Sequence, residues 1–589
     1  MILYFFWELA VTAICLAALA RVESAAWKLG LVLAANITLS ALSATAVSFL
    51  QWNQPEAYLA LAACFLVVPA VWRTPWSAPG PSASLSATAI WFALGVLMVL
   101  SIRPIEEGDS LYNLHYIMGW VQNRTTPYQF AYNYVPFWEL SFVPGIVLVH
   151  GDSFFWFQSL KPVLLLGVLL LLIARELELP ERLAVWTVPA LLLFPYLWLG
   201  PSGASTIKND MIHAAGYAMA ALAAVRAASG RREVVDVALV AFACAFASVK
   251  FSGPVVMIAG GAVLAAISAR WIAHNLRTSA IVLGVVMSFW FLTAGHYFLR
   301  NYLLYANPVF PYSINLGPIH FPGRADLSGT SILYSLHDPR LWRYWFLPDR
   351  GLSPAGLLFP LILPAIVVGS AIVAAMALWR RKMTPAATLA LFQIVSWFIY
   401  FRSTYSASGW PGDMKFIVND LNSIRYVEGP LLVGELTLVW TMWRARVPQW
   451  VITAAVALQA GSCFWLLLRW APDKPWGLAV ATGVALAVFR AVMRPRMVLP
   501  ASAALAAASL AFGTYLVERR RPLWLPALQP LLQPLYKAPA QDVYYLIDDE
   551  FTPQTCWHFP FLGHRLQHVA DSGSLETLMT RTAPPRYVA

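Results

Sequence analysis

Apolar stretches of roughly 18 residues or more recur along nearly the whole chain, each long enough to cross a hydrocarbon core of about 30 Å. That recurrence leaves one reading, a string of membrane helices. Composition agrees with it. Of the 589 residues, 59% are hydrophobic and 12% are charged. A soluble protein carries about twice that charge, roughly a quarter of its residues. A soluble multidomain enzyme, a coiled coil and a disordered chain are excluded. The chain reads as an all-α polytopic membrane protein.

The apolar segments fall at 1–20, 27–50, 56–72 and 87–102, then 155–174, 183–199, 211–228, 234–249, 251–269 and 279–299, and finally 354–379, 385–400, 426–443, 450–468, 476–489 and 497–516. They make about sixteen spans by the length needed to cross. The division that follows is N-terminal transmembrane helices (1–103), an outer loop (104–154), a transmembrane core (155–299), a second large outer loop (300–353), C-terminal transmembrane helices (354–521) and a small soluble tail (522–589). Within the first outer loop, 112–123 and 135–150 read as interfacial helices, with Trp138 at headgroup depth. The tail shows a strand at 542–547, a short helix at 573–580 and a further strand at 585–589, a small C-terminal α/β appendage. The first twenty residues lack a basic start and read as a membrane helix rather than a cleaved signal peptide.

The excess of 40 Lys and Arg over 29 Asp and Glu, +11, is first a topology signal. Arg21 and Lys28, Arg73, Arg175 and Arg182, Arg226, Arg231 and Arg232, Arg270 and Arg277, Arg380 and Arg381, Arg444 and Arg446, and Arg494 and Arg496 fall in alternate connections. Those connections should be cytoplasmic. The N-terminus and both long polar stretches then lie outside, and Arg519, Arg520 and Arg521 follow the last span against the trend. The expected location is the bacterial inner (plasma) membrane, with the site on the periplasmic, extracytoplasmic side. Of the 5 cysteines, four lie in apolar segments and Cys556 stands apart, a pattern that shows neither a disulfide framework nor a zinc site.

Against so apolar a background, polar clusters at span ends are where chemistry can reside. Glu106, Glu107 and Asp109 put three carboxylates within four residues beyond the fourth span. They read either as a solvated loop end or as a general base with its electrostatic support. Lys208, Asn209 and Asp210 form a second group on the same side. Asp210 could cap a helix, assist Asp109 or hold a divalent cation, Mg or Mn. Lys250, Arg300 and Arg425 sit at outer helix ends. Each reads either as a snorkelling cation or as a phosphate ligand, and arginine can grip a phosphate in a bidentate manner. Few charges appear inside the spans.

These residues carry a resemblance. The run Asp109-Ser-Leu-Tyr112-Asn-Leu-His115-Tyr116-Ile-Met-Gly-Trp120 resembles the D-x-x-x-Y-H-x-P-x-x-x-W region of the GT-C superfamily of integral-membrane glycosyltransferases, with no proline after the histidine. Residues 204–210 are similar to that group's K-x-D outer loop, and Ala247-Ser-Val-Lys250-Phe251 to its G/A-x-x-x-K-Y/F element. Arg300-Asn301-Tyr302, followed by Asn307-Pro308-Val-Phe310-Pro311, is similar to its R-x-Y…G-N-P-V-Y-P element. Ser423-Ile-Arg425-Tyr426 resembles its R-Y helix start. The matches run in order over a little more than half the chain, in the style of the protein O-mannosyltransferases and the lipid A aminoarabinose transferases.

The resemblance implies a polyprenyl-phosphate-linked sugar donor and a lipid, glycan or protein acceptor, with membrane lipids around them and no nucleic acid. It implies Asp109 as catalytic base with Asp210 in support, and Lys250, Arg300 and Arg425 on the donor phosphate. Glu107, Tyr112, His115, Lys208 and Tyr426 would line the substrate. Competing readings are a transporter or flippase of lipid-linked sugars, which calls for paired charges near the midplane and broken helices in matching halves, an O-antigen polymerase or ligase, and a non-enzymatic scaffold. Topology is open to direct test. A cysteine placed at Thr126 should react with a membrane-impermeant thiol reagent in intact cells, and protection there would reverse the orientation.

Overall fold

The structure is a computed structural model that describes residues 1–72 (Glu23 aside), 85–101, 117, 121, 135–194 (Asp152 aside), 197, 209–250, 253–310, 313–316, 318–323, 365–376 (Val367 aside), 379–380, 384–402, 428–470, 475–492, 507–517, 542–545 and 565–568. Four helices come first: α1 (Ile2–Ala18), α2 (Ala25–Phe49), α3 (Pro55–Trp72) and α4 (Leu85–Ser101). Two short helices follow the first outer stretch, α5 (Phe137–Leu140) and α6 (Val143–Val149). The central helices are α7 (Phe155–Glu176), α8 (Glu181–Leu192), α9 (Asp210–Ala228), α10 (Val234–Ala247), α11 (Gly253–His274) and α12 (Leu276–Trp290). A π turn (Phe291–Gly295) joins α12 to α13 (His296–Tyr305). Then come α14 (Pro385–Arg402), α15 (Glu428–Arg444), α16 (Gln449–Trp470), α17 (Trp476–Val492) and α18 (Ala507–Val517).

Among the described residues five helices are long and apolar enough to cross a membrane, and shorter apolar helices accompany them. In hydrocarbon each backbone N–H must find its carbonyl within the same helix, which is why apolar runs of this length adopt no other form. Their ends sort as the arginines suggest. At one end Arg226 on α9 meets Glu176 on α7 at 2.9 Å and pairs with Asp236 on α10. Arg232 donates to Ser268 on α11 at 3.1 Å, and Arg444 on α15 reaches Glu178 at 3.1 Å. This arginine-rich end defines the opposite end, where the candidate residues lie.

Helix α9 sits at the centre and is buried on nearly every side. It can be so because alanines and a glycine leave no ridge for its neighbours to avoid. A Cβ on Gly216 would lie 2.6 Å from the Ala247 nitrogen of α10, and one on Gly429 of α15 would lie 2.8 Å from Tyr217 Cβ. The same device brings α4 against α17, where a Cβ on Gly95 would fall 2.8 Å from Gly483 Cα.

One expectation needs correction. The helices of the first outer stretch that are described, α5 and α6, do not lie spread in the interface. Phe137, Trp138, Phe142 and Ile146 are buried in the protein, packed with Phe154 and Phe155 at the start of α7. A buried short helix pair at membrane depth is tolerated where protein, not lipid, surrounds it. The few charges inside the spans include a buried pair. Lys161 on α7 contacts Glu8 on α1 at 2.7 and 2.8 Å and Asn36 on α2 at 2.8 Å, all three residues being buried. Single charges at sequence distances of 28 to 153 carry no pattern until the helices meet.

The tail holds β3 (Asp542–Tyr545), where a strand was expected, paired in parallel with β4 (Arg565–His568), where none was. The expected helix at 573–580 and strand at 585–589 lie outside the described residues, as do 112–116 and Arg519, Arg520 and Arg521. A hairpin of β1 (Ile314–Leu316) and β2 (Ile319–Phe321) opens the second outer stretch. The α4–α17 crossing yields a test. Gly95→Leu drives a side chain into backbone that cannot yield, and should cost about 1–3 kcal/mol, read as an earlier thermal unfolding transition in detergent.

Candidate active site at the end opposite the arginines

Asp210 is the first residue of α9, so its carboxylate sits where a helix N-terminus carries partial positive charge. It is not a cap. The N-cap is Asn209, which makes no capping bond and instead donates to the Val249 carbonyl at 3.0 Å. The carboxylate of Asp210 forms an ion pair with Lys250. The two side chains are only 2% and 11% exposed, so this lysine does not snorkel to the headgroups. A charge so far from water is tolerated only when its opposite is in contact with it.

The turn between α10 and α11 delivers Lys250. It is tight enough that a Cβ on Gly253 would stand 1.9 Å from the Ala247 carbonyl oxygen, so glycine is required there. The Gly253 N–H donates to the Lys250 carbonyl at 2.9 Å. One turn along α9, His213 Nδ1 lies 3.0 Å from the Ala247 oxygen. Ser248, two residues before Lys250, donates to the Cys244 carbonyl at 2.7 Å and accepts from Trp290 Nε1 of α12 at 2.9 Å. The pair is therefore held by α9, by the α10–α11 turn and, through Trp290, by α12.

Trp290 also packs on α13, the helix that carries Arg300. Its ring stacks on Phe298 of α13 at 6.1 Å, across the π turn. Arg300 is 8% exposed and its Nη1 donates to Asn301 Oδ1 at 3.0 Å. Helix α13 ends at Ala306 in the left-handed conformation (φ 52°). Asn307 then folds the chain back: its Oδ1 accepts from the Val309 N–H at 2.9 Å, and its Nδ2 donates to the Pro322 carbonyl beyond the β hairpin at 2.8 Å. Tyr305 and Phe310 stack across this turn at 3.9 Å. The Arg300…Asn307-Pro308 sequence element is thus one structural unit, a helix end with an Asx-type turn.

Of the remaining expected site residues, Glu107, Asp109, Tyr112, His115, Lys208, Arg425 and Tyr426 lie outside the described residues. The chain that follows Arg425 and Tyr426 is placed. Glu428 opens α15 fully buried, and Gly429 packs on Tyr217 and the Ala214 carbonyl of α9, one to two turns from Asp210.

Asn209 and Ser248 enter the sequence reading only as members of their runs, and His213 and Trp290 are not singled out there. His213 had a signal, since it stands three residues after Asp210 and so shares its helix face. The Ser248–Trp290 contact, 42 residues apart, had none.

Among the described residues no three His, Cys, Asp or Glu side chains gather as a metal site would require. Asp210 fits a divalent cation poorly, since an ammonium group already meets its carboxylate. Removing that ammonium should be costly. Lys250→Met deprives a buried carboxylate of its cation, a loss of about 3–5 kcal/mol. Asp210→Asn added to it should restore most of the stability, as thermal unfolding of both variants would show.

No family model matches the chain, and no curated protein matches it. Solved structures do. The chain is similar to ArnT from Cupriavidus metallidurans bound to undecaprenyl phosphate, with 18% identity over 85% of this chain and 90% of that one and a TM-score of 0.41. It is similar to the apo state of the same protein, with 17% identity over 86% and 90% and a TM-score of 0.41. It is also similar to the arabinosyltransferase EmbB from Mycobacterium smegmatis, with 15% identity over 81% of this chain and 46% of that one and a TM-score of 0.34.

Proposed function

We propose that the chain is a glycosyltransferase that moves a sugar from a polyprenyl-phosphate donor to a lipid, glycan or protein acceptor on the non-cytoplasmic face of a membrane. The observation that carries the reading is the buried Asp210–Lys250 pair at the end opposite the arginines. A lipid-linked donor places its phosphodiester, a monoanion, at headgroup depth, and the polyprenyl phosphate that leaves gains charge that fixed cations must meet because water is scarce. Arg300, whose guanidinium donates to Asn301, and Arg425 are the further cations of this reading.

In this mechanism the acceptor hydroxyl oxygen attacks the anomeric carbon of the donor. The carbon–oxygen bond to phosphate breaks, and polyprenyl phosphate leaves with the electron pair. The hydroxyl proton passes to the Asp109 carboxylate, which must come within about 3 Å of it. Lys250, Arg300 and Arg425 stabilise the charge that grows on the leaving phosphate, an effect larger in a dry site than in water. Asp210 holds the Lys250 ammonium in place and supplies no base of its own. Glu107, Tyr112, His115, Lys208 and Tyr426 would face the sugar or acceptor. Lys250 provides at Asp210 the positive charge that Mg or Mn would otherwise provide, so no step is assigned to a metal.

A transporter of lipid-linked sugars is the second reading, favoured by the Glu8–Lys161 charges inside the spans. Its weakness is that this network is closed. The three donors of Lys161 meet two oxygens of Glu8 and one of Asn36, which leaves none for a substrate. Asp109→Asn separates the two readings. The variant should fold and bind polyprenyl phosphate as the wild type does but lose sugar transfer by about 10²–10⁴-fold. Full transfer by purified variant in nanodiscs would remove the base assignment.

A further inference from the structure

The intramembrane charges have so far been given no task. Glu8 and Lys161 are each the seventh residue of their helices, α1 and α7, so both lie about 9 Å inside the span from the end opposite the arginines. Asn36 of α2 completes the group. It accepts from Lys161 and donates to Glu8 at 3.2 Å and to Thr12 at 3.3 Å. Charges in such a place are costly and are kept for a purpose.

A second polar group sits one turn nearer the site, on the same face of α7. Gln158 stands three residues before Lys161 and is buried. Its Nε2 donates to Ser141 Oγ at 2.9 Å and lies 3.4 Å from the Ser141 carbonyl. Its Oε1 accepts from Tyr4 Oη of α1 at 3.4 Å. Ser141 is the hinge between α5 and α6, and its own hydroxyl donates to the Trp138 carbonyl at 2.6 Å. The polar face of α7 thus ties α1 and α2 with one residue and the α5–α6 hinge with the other. Around that tie the hairpin packs its aromatic side chains, Trp138 on Phe142 and Phe142 on Phe154 and Phe155.

We propose that Gln158 and Lys161 of α7 are positioning residues that set the depth and angle of the α5–α6 hairpin against α1 and α2. This hairpin is where the first outer stretch, which carries Asp109, re-enters the protein, so the inference rests on the transferase reading for its consequence in catalysis. Lys161 acts by fixing where α7 stands against α1 and α2. Gln158 carries that position to the hinge. Neither touches the reacting atoms.

The test uses full-length protein in nanodiscs, with spin labels on cysteines at Gln51 and His150, both exposed and each directly beyond the end of its helix, and with native cysteines replaced. Glu8→Met, Asn36→Leu and Lys161→Met together remove both charges and their amide partner, so no ion is left unpaired and folding is preserved. Gln158→Leu with Ser141→Ala breaks the second tie while leaving the ion pair intact. The expected result is a broadened Gln51–His150 distance distribution in each variant. Sugar transfer should fall about tenfold in kcat with donor KM unchanged, a split that general loss of folded protein does not produce. A distribution as narrow as the wild type's in the folded variants overturns the proposal, and if the triple variant fails to fold the double variant decides alone. Absence of transfer by the wild-type protein would instead remove the transferase reading, and the distance measurement would still decide the positioning role.

Discussion

Close approach of helices around α9 is the constraint on which the rest of the structure depends. Lipid tails give no hydrophobic reason for helices to associate, so association comes from contact and from polar ties. Gly216, Gly429 and the alanines of α9 allow α10 and α15 to approach until backbone nearly meets side chain. With ordinary side chains there, the α10–α11 turn would stand away from the start of α9. Lys250 would then lose Asp210, and a buried ion pair would be broken.

The polar contacts divide by depth. At the arginine-rich end, Arg226 gathers Glu176, Glu233 and Asp236 beneath the ring of Trp27. Inside the span, Glu8, Asn36 and Lys161 form a closed group whose hydrogen bonds satisfy one another. At the far end, Asp210 and Lys250 pair beside a π turn, the kind of helix irregularity that tends to accompany functional positions. The first two groups satisfy their own needs. The third is a buried ion pair at a helix start, joined to α12 through Ser248 and Trp290.

Legibility followed the range of the interaction. The spans could be read because each is a local property, a run of apolar residues of sufficient length. Lys250 and Asp210 could be picked out singly because a charge at a span end is conspicuous. Their pairing could not, since 40 residues and two helices separate them. Trp138 and Phe142 misled for a related reason. Aromatics near a span end suit an interface belt and a buried hairpin equally well, and only the positions of α1, α2 and α7 choose between them. Lys161 gives no signal inside its apolar run because its partners Glu8 and Asn36 stand 153 and 125 residues away.

The sequence by itself determined that this chain is a membrane protein, which ends of its helices carry arginine, and which few polar residues stand where chemistry is affordable. These are consequences of composition along short windows, and a bilayer reads them one segment at a time. The tertiary structure decided what each charge is for. It set Lys250 on Asp210, closed Lys161 within Glu8 and Asn36, and tied Gln158 to the hinge at Ser141. The physical reason is that a buried charge takes its meaning from the partner at hydrogen-bond distance, and that partner is chosen by helix packing between residues far apart in the chain.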